Sequence, residues 1–135
     1  MSAAIERWRH LAWIWGPAIA LAAAIFVQSS RESVALPGRS DLLAHFAAFG
    51  TLAALVLRGC ADGQRRSITW QRGAVAWLVT AAYAATDELH QRFVPGRTAA
   101  LDDWIADAVG AALAVAAIVI VARMASGGGL RGREV

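Results

Sequence analysis

Four apolar runs, at residues 11–27, 42–57, 70–86 and 104–122, are separated by short charged loops, and this pattern narrows the fold more than any other feature. Each run holds sixteen to nineteen residues. As helices rising ~1.5 Å per residue they would span about 24 to 28 Å, near the short limit for crossing a bilayer, with polar flanks completing the passage. The helices of a soluble domain would need polar faces that these runs lack. The 135 residues suffice for a single domain, and 58% of them are hydrophobic, above the norm for soluble chains. The sequence therefore reads as an all-α, four-helix transmembrane bundle. Its expected layout is an N-terminal segment at 1–10, the bundle at 11–123 and a flexible Gly-rich tail at 124–135.

All thirteen basic residues are Arg. Arg7, Arg9, Arg58, Arg65, Arg66, Arg72, Arg123, Arg131 and Arg133 fall on the side of the termini and the second loop, whereas only Arg31, Arg39, Arg92 and Arg97 fall on the other. The positive-inside rule then places both termini in the cytoplasm of a multi-pass membrane protein. The acids run the opposite way: Glu32, Asp41, Asp87, Glu88, Asp102, Asp103 and Asp107 gather on or near the outer side. The net charge of +3 is thus a matter of topology and does not point to nucleic acid. Arg7 and Arg9 ahead of an apolar stretch also have the form of a signal peptide, whose cleavage would leave three helices. Cys60 is alone, which excludes an intrachain disulfide.

The first run contains Gly16-Pro17, tolerated in membrane helices when neighbours satisfy the freed carbonyl. Gly16, Ala20 and Ala24 form one small-residue stripe, and Ala106, Gly110 and Ala114 form another, suited to close helix approach. Trp8, Trp13, Trp15, Trp70 and Trp104 are placed as interfacial anchors. His10 and His90 are placed at the interface without a special role.

With this topology, three remote stretches reach one membrane level: His45; Asp87, Glu88 and Gln91; and Arg97, Asp103 and Asp107. Thr80, Tyr83, Asp87 and Gln91 step by three or four residues and make one polar stripe, which a membrane bundle turns inward. Glu88 lies off that stripe, with Arg92 at i+4 as its expected partner. Asp103 and Asp107 are also one turn apart and repel if both ionise, so Arg97 and His45 are the expected cations beside them. Acids at this depth are costly without a partner or a wet pocket. Tyr83 is expected to pack, with its hydroxyl satisfied. His45 with Asp87 and Asp107 would supply mixed nitrogen and oxygen donors, but no local ligand motif such as H-E-x-x-H is present, and neither metal nor cofactor is expected. Ser29, Ser30 and Ser40 lack a nucleophile elbow.

The segments DLLAHFAAFGTL and AAYAATDELHQRFVPGRTAALDDWIADAVGAALA, within about 41–117, resemble the VanZ-like family of small bacterial membrane proteins. The residues that carry the resemblance are His45, Asp87, Glu88, Gln91, Arg97, Asp103, Asp107 and Gly110. Two positions depart from the family pattern: Leu42 stands where members often have Lys, and Asp107 where many have Asn. The resemblance implies envelope biology and an association with low-level resistance to the glycopeptide teicoplanin. The expected function is binding or modification of a cell-envelope component, an anionic lipid or lipid-linked peptidoglycan precursor, by His45, Asp87, Glu88, Gln91, Arg97, Asp103 and Asp107. Two alternatives stand beside it. One is a membrane enzyme using His45, Asp87 and Glu88 in acid-base chemistry on a lipid-linked substrate. The other is a scaffold whose polar cluster only fixes helix packing.

Overall fold

The computed structural model describes residues 2–31, 39–97 and 101–128. Glu32, the Pro37-Gly38 turn and the tail arginines Arg131 and Arg133 lie outside the described residues, as do the side chains of Arg39, Ser40 and Asp41. Four helices follow one another: α1 (Ser2–Ser29), α2 (Arg39–Cys60), α3 (Trp70–Gln91) and α4 (Leu101–Gly128), with no strand among the described residues. The helices outrun their apolar segments. At 28 residues α1 and α4 are ~42 Å long, and at 22 residues α2 and α3 are ~33 Å long.

α1, α2 and α4 are long and apolar enough to cross a bilayer. α3 falls short of the apolar character expected for a fourth such helix. Gln71 and Arg72 open it and Asp87, Glu88, His90 and Gln91 close it, leaving only the stretch from Gly73 to Thr86 without charge. Its buried positions include Thr80, Asp87, Glu88 and Gln91, so its polar groups face protein. Thr69 starts α3 as an N-cap in extended conformation, its side chain accepting from the Arg72 amide at 3.3 Å.

α2 packs against all three other helices, most extensively against α4. Alternating direction along the chain makes α2 and α4 parallel, and they meet through glycine. A Cβ on Gly110 would lie 2.5 Å from the Phe46 carbonyl oxygen, and one on Gly50 would lie 3.2 Å from the Gly110 carbonyl oxygen. Backbone therefore rests on backbone, and Phe49, Leu52, Val56, Ala111, Val115 and Val119 extend the contact as a buried core. The stripe of Ala106, Gly110 and Ala114 is thus an interface, as its spacing suggested. The stripe on α1 is not: Gly16 meets nothing within 4 Å, and Ala20 and Ala24 are exposed. α1 instead docks through the face that buries Ile14, Ala18 and Ser29.

The tryptophans divide into two groups. Trp8, Trp13 and Trp70 remain exposed, in keeping with interfacial anchoring. Trp104, placed with them by sequence, is half-buried and donates from its indole nitrogen to the Ala81 carbonyl at 3.2 Å, while Trp77 donates to the Ala108 carbonyl at 3.0 Å. These two bonds staple α3 to α4 along their antiparallel seam. Trp15 also packs inward, against Gly59 of α2.

Pro17 leaves the helix unbroken but has no amide hydrogen for the carbonyl of Trp13. Arg58 of α2 supplies the missing donor. Its Nη1 donates to the carbonyls of Trp13 and Ile14, both at 2.9 Å, and its guanidinium lies 5.0 Å from the Trp13 ring centroid. At the same end, His10 is more than interfacial: it hydrogen-bonds Asp62 Oδ1 at 2.8 Å and ties α1 to the loop between α2 and α3. That bond, with the nearby Arg65 and Arg66, holds the Asp62 carboxyl below its ordinary range. A lowered folded-state pKa stabilises the fold above the ordinary carboxylate value, and the tie is lost as pH falls through the depressed one.

Arg58→Ala should destabilise the protein by about 1 to 3 kcal/mol, because the Trp13 carbonyl loses its donor. In a Pro17→Ala background the loss should shrink, since an amide hydrogen returns at residue 17. A double-mutant cycle followed by denaturation in detergent micelles should show coupling of roughly 0.5 to 3 kcal/mol.

Candidate functional site

All four helices contribute polar side chains to the end of the bundle where α1 and α3 finish and α2 and α4 begin. From α3 come Asp87, Glu88 and Gln91, with 3%, 8% and 2% of their surface exposed. From α2 comes His45, and from α4 Asp107, whose side chain is fully buried. His45 Nδ1 lies 3.2 Å from Asp107 Oδ1 and 3.4 Å from Oδ2, astride the carboxylate. The pair sits one turn from the Phe46–Gly110 contact, so the glycine packing fixes its spacing.

Ser29 of α1 is buried, and its hydroxyl donates to Asp87 Oδ1 at 2.6 Å. Gln91 Nε2 donates to Asp87 Oδ2 at 2.9 Å and to Glu88 Oε1 at 3.3 Å. Asp87 thus receives neutral donors on both oxygens, a way of burying a carboxyl group without a bound cation. Tyr83 donates to the Ala22 carbonyl at 2.7 Å and packs near Phe49, the satisfied hydroxyl expected of it. His90 meets Ser30 Oγ at 2.9 Å and lies against the Phe26 ring, joining the ends of α1 and α3.

After α3, Val94 to Arg97 form a tight turn. Gly96 has φ of 77°, a conformation that favours glycine, and the Arg97 amide donates back to the Val94 carbonyl at 3.2 Å. The turn returns Arg97 to the bundle, but not to the acids of α4. Its Nη2 donates to the Gln28 carbonyl at 3.2 Å and its Nε to the Arg31 carbonyl at 3.5 Å. The guanidinium thus caps the electronegative C-terminal end of α1, sharing the Gln28 carbonyl with the Arg31 amide and reaching the Arg31 carbonyl just past the helix.

The sequence-based set is therefore brought together in part. His45, Asp87, Glu88, Gln91 and Asp107 share one buried cluster. Arg97 stands at its edge, bound to α1. Asp103 is half-buried one turn before Asp107 and, among the described residues, shares no hydrogen bond with the cluster. Glu88 departs from its expected place beside Arg92: it is buried within the cluster, and Arg92 is exposed. The cause is the packing of α3 against α1, α2 and α4 at once, which buries a wider arc than a single stripe. Ser29 and Gln28 were missed. Their only sequence signal is a polar pair closing an apolar run, and their partners lie on another helix.

Between α1, α2 and α3 is a cavity of about 440 Å³. Leu21, Ala24, Ile25, Ala48 and Phe49 give it apolar walls, and Ser29, His45, Asp87, Gln91 and Arg97 give it polar lining.

Fold and site together define a small all-α protein with membrane-spanning-type helices and a buried polar cluster at one end. The VanZ/LLP1 family model matches residues 23–122. The chain belongs to the VanZ/LLP1 family, and the match begins on α1, ahead of Gln28 and Ser29. Comparisons with curated proteins and with solved structures gave no match.

Ser29→Ala should cost about 1 to 3 kcal/mol by removing a buried donor from Asp87, whereas Ser30→Ala, which removes only exposed hydrogen bonds, that to His90 among them, should cost less, about 0.5 kcal/mol. Thermal denaturation of the purified variants in one detergent checks the difference.

Proposed function

We propose that this chain is a multi-pass protein of the bacterial inner membrane, with four crossings and both termini in the cytoplasm, that binds an amphiphilic component of the cell envelope in its polar-lined cavity. The excess of Arg on the side of the termini supports the orientation. α3 then crosses with its polar arc sheltered by the other helices, which is how membrane bundles accommodate such residues. The polar cluster, on this reading, faces the extracytoplasmic side.

The observation that carries the binding proposal is the division of the cavity wall. Apolar side chains from α1 and α2 suit a hydrocarbon chain, and Arg97, Ser29, His45, Asp87 and Gln91 suit a polar head. Arg97 uses Nη2 on the Gln28 carbonyl of α1 and Nε on the Arg31 carbonyl just beyond it, and the rest of its fork suits an anionic group. An anionic lipid or a lipid-linked peptidoglycan precursor has this chemistry, and the glycopeptide association implied by the family resemblance is consistent with it. Acid-base chemistry on such a ligand is a second reading, favoured by the placement of His45 on both the cavity wall and Asp107.

Mass spectrometry of lipids retained by the purified protein tests binding. One lipid class should be enriched over the bulk membrane and fall at least about tenfold in Arg97→Ala, the loss of roughly one charge-assisted contact. Retained lipids that mirror the bulk membrane would contradict it. Turnover of the enriched lipid, lost in His45→Ala with binding kept, would favour the enzyme reading.

A further inference from the structure

His45, Glu88 and Asp107 each offer one donor atom, and the three atoms lie within 4.8 Å of one another. From this geometry we propose that the three residues form a site for a divalent transition-metal cation, held between α2, α3 and α4. The inference is independent of whether the cavity takes an amphiphile.

Spacing is the first support. An imidazolium donating to a carboxylate normally closes to about 2.7 to 2.9 Å. His45 Nδ1 instead stands 3.2 and 3.4 Å from the two Asp107 oxygens. Neighbouring ligands on a metal with bonds of about 2.1 Å are separated by ~3.0 to 3.4 Å, depending on the coordination angle. All three donor pairs lie within 4.8 Å, a span that small side-chain rotations would close onto one ion. The sequence groups His45 with Asp87 and Asp107 as mixed donors without giving ground to expect a metal; the helix packing brings Glu88, not Asp87, beside His45 and Asp107.

Donor chemistry is the second. One imidazole nitrogen with two carboxylates suits Mn²⁺, Fe²⁺ or Zn²⁺, whereas Ca²⁺ and Mg²⁺ prefer all-oxygen sets. Asp107 and Glu88 place two carboxyl groups in one buried cluster beside His45, a donor set with affinity for a cation. An outer layer is also in place. Gln91 donates to Glu88 and Asp87, and Ser29 donates to Asp87, so a ligand carboxylate is oriented by a network that reaches α1. Three protein ligands leave coordination positions open, and His45 lies on the cavity wall, so the cation would be reachable from the cavity.

The test uses the purified full chain in detergent, stripped with chelator and titrated with Mn²⁺. One equivalent should bind per chain. Pulsed electron paramagnetic resonance of the bound Mn²⁺ should show coupling to one imidazole nitrogen, a measurement that needs no variant. Glu88→Gln and Asp107→Asn should abolish stoichiometric binding. Gln91→Ala should weaken it about ten- to a hundredfold, as loss of an outer-shell partner does. Cys60→Ser and His10→Ala, at the other end of the bundle, should leave it intact. Absence of a bound equivalent, absence of nitrogen coupling, or binding that survives both carboxylate changes would overturn the proposal.

Discussion

At Gly50 and Gly110, α2 and α4 approach so closely that a methyl group on either would press on the other's backbone. Apolar burial alone gives little preference for one partner over another among helices whose outer surfaces are themselves apolar. Contact geometry has to choose, and small residues give it that role by letting backbones touch. α4 is strongly apolar along most of its length, so its own hydrophobicity does not say which face turns inward; the glycine contact does. Asp107 stands three residues before Gly110 and His45 one before Phe46, so the same contact brings imidazole and carboxylate together.

The cluster that results is stabilised mainly by hydrogen bonds from neutral groups, with the His45–Asp107 pair beside them. Gln91 orients Asp87 and Glu88 within α3, while Ser29, Tyr83 and the indoles of Trp77 and Trp104 each satisfy an acceptor on a different helix. No buried side-chain nitrogen or oxygen among the described residues lacks a partner. A network satisfied in this way specifies one arrangement, because each displaced helix would strand a polar atom. Arg58 plays the same part at the opposite end, where it covers the carbonyl that Pro17 leaves open.

Much of this was legible in the sequence, for reasons that can be traced. The apolar runs gave the helices, the spacing of Thr80, Asp87 and Gln91 gave the buried stripe, and Pro95-Gly96 gave the turn. Shared depth, with the need of the α4 acids for a cation, pairs His45 with Asp107. The errors share a cause: they concern how helices rotate against one another. Glu88 was assigned to Arg92 because i+4 spacing considers one helix at a time, yet α3 has three neighbours. Charge directs Arg97 to the acids of α4, whereas its guanidinium binds the Gln28 and Arg31 carbonyls at and just past the end of α1. Ser29 could be placed only once α1 and α3 were known to run side by side, and α3 carries too many polar groups to register as a fully apolar span.

The packing of α2 on α4 is tested most directly by disulfide cross-linking in native membranes. A Cβ on Gly50 would lie 3.7 Å from the Ala114 Cβ, within the range of a disulfide. In a Cys60→Ser background, a chain carrying Gly50→Cys and Ala114→Cys should close almost completely under mild oxidation, while Gly16→Cys with Ala114→Cys should not. Failure of the first pair to close, with both single variants present in the membrane and folded, would show that the two helices do not meet at Gly50 and Gly110.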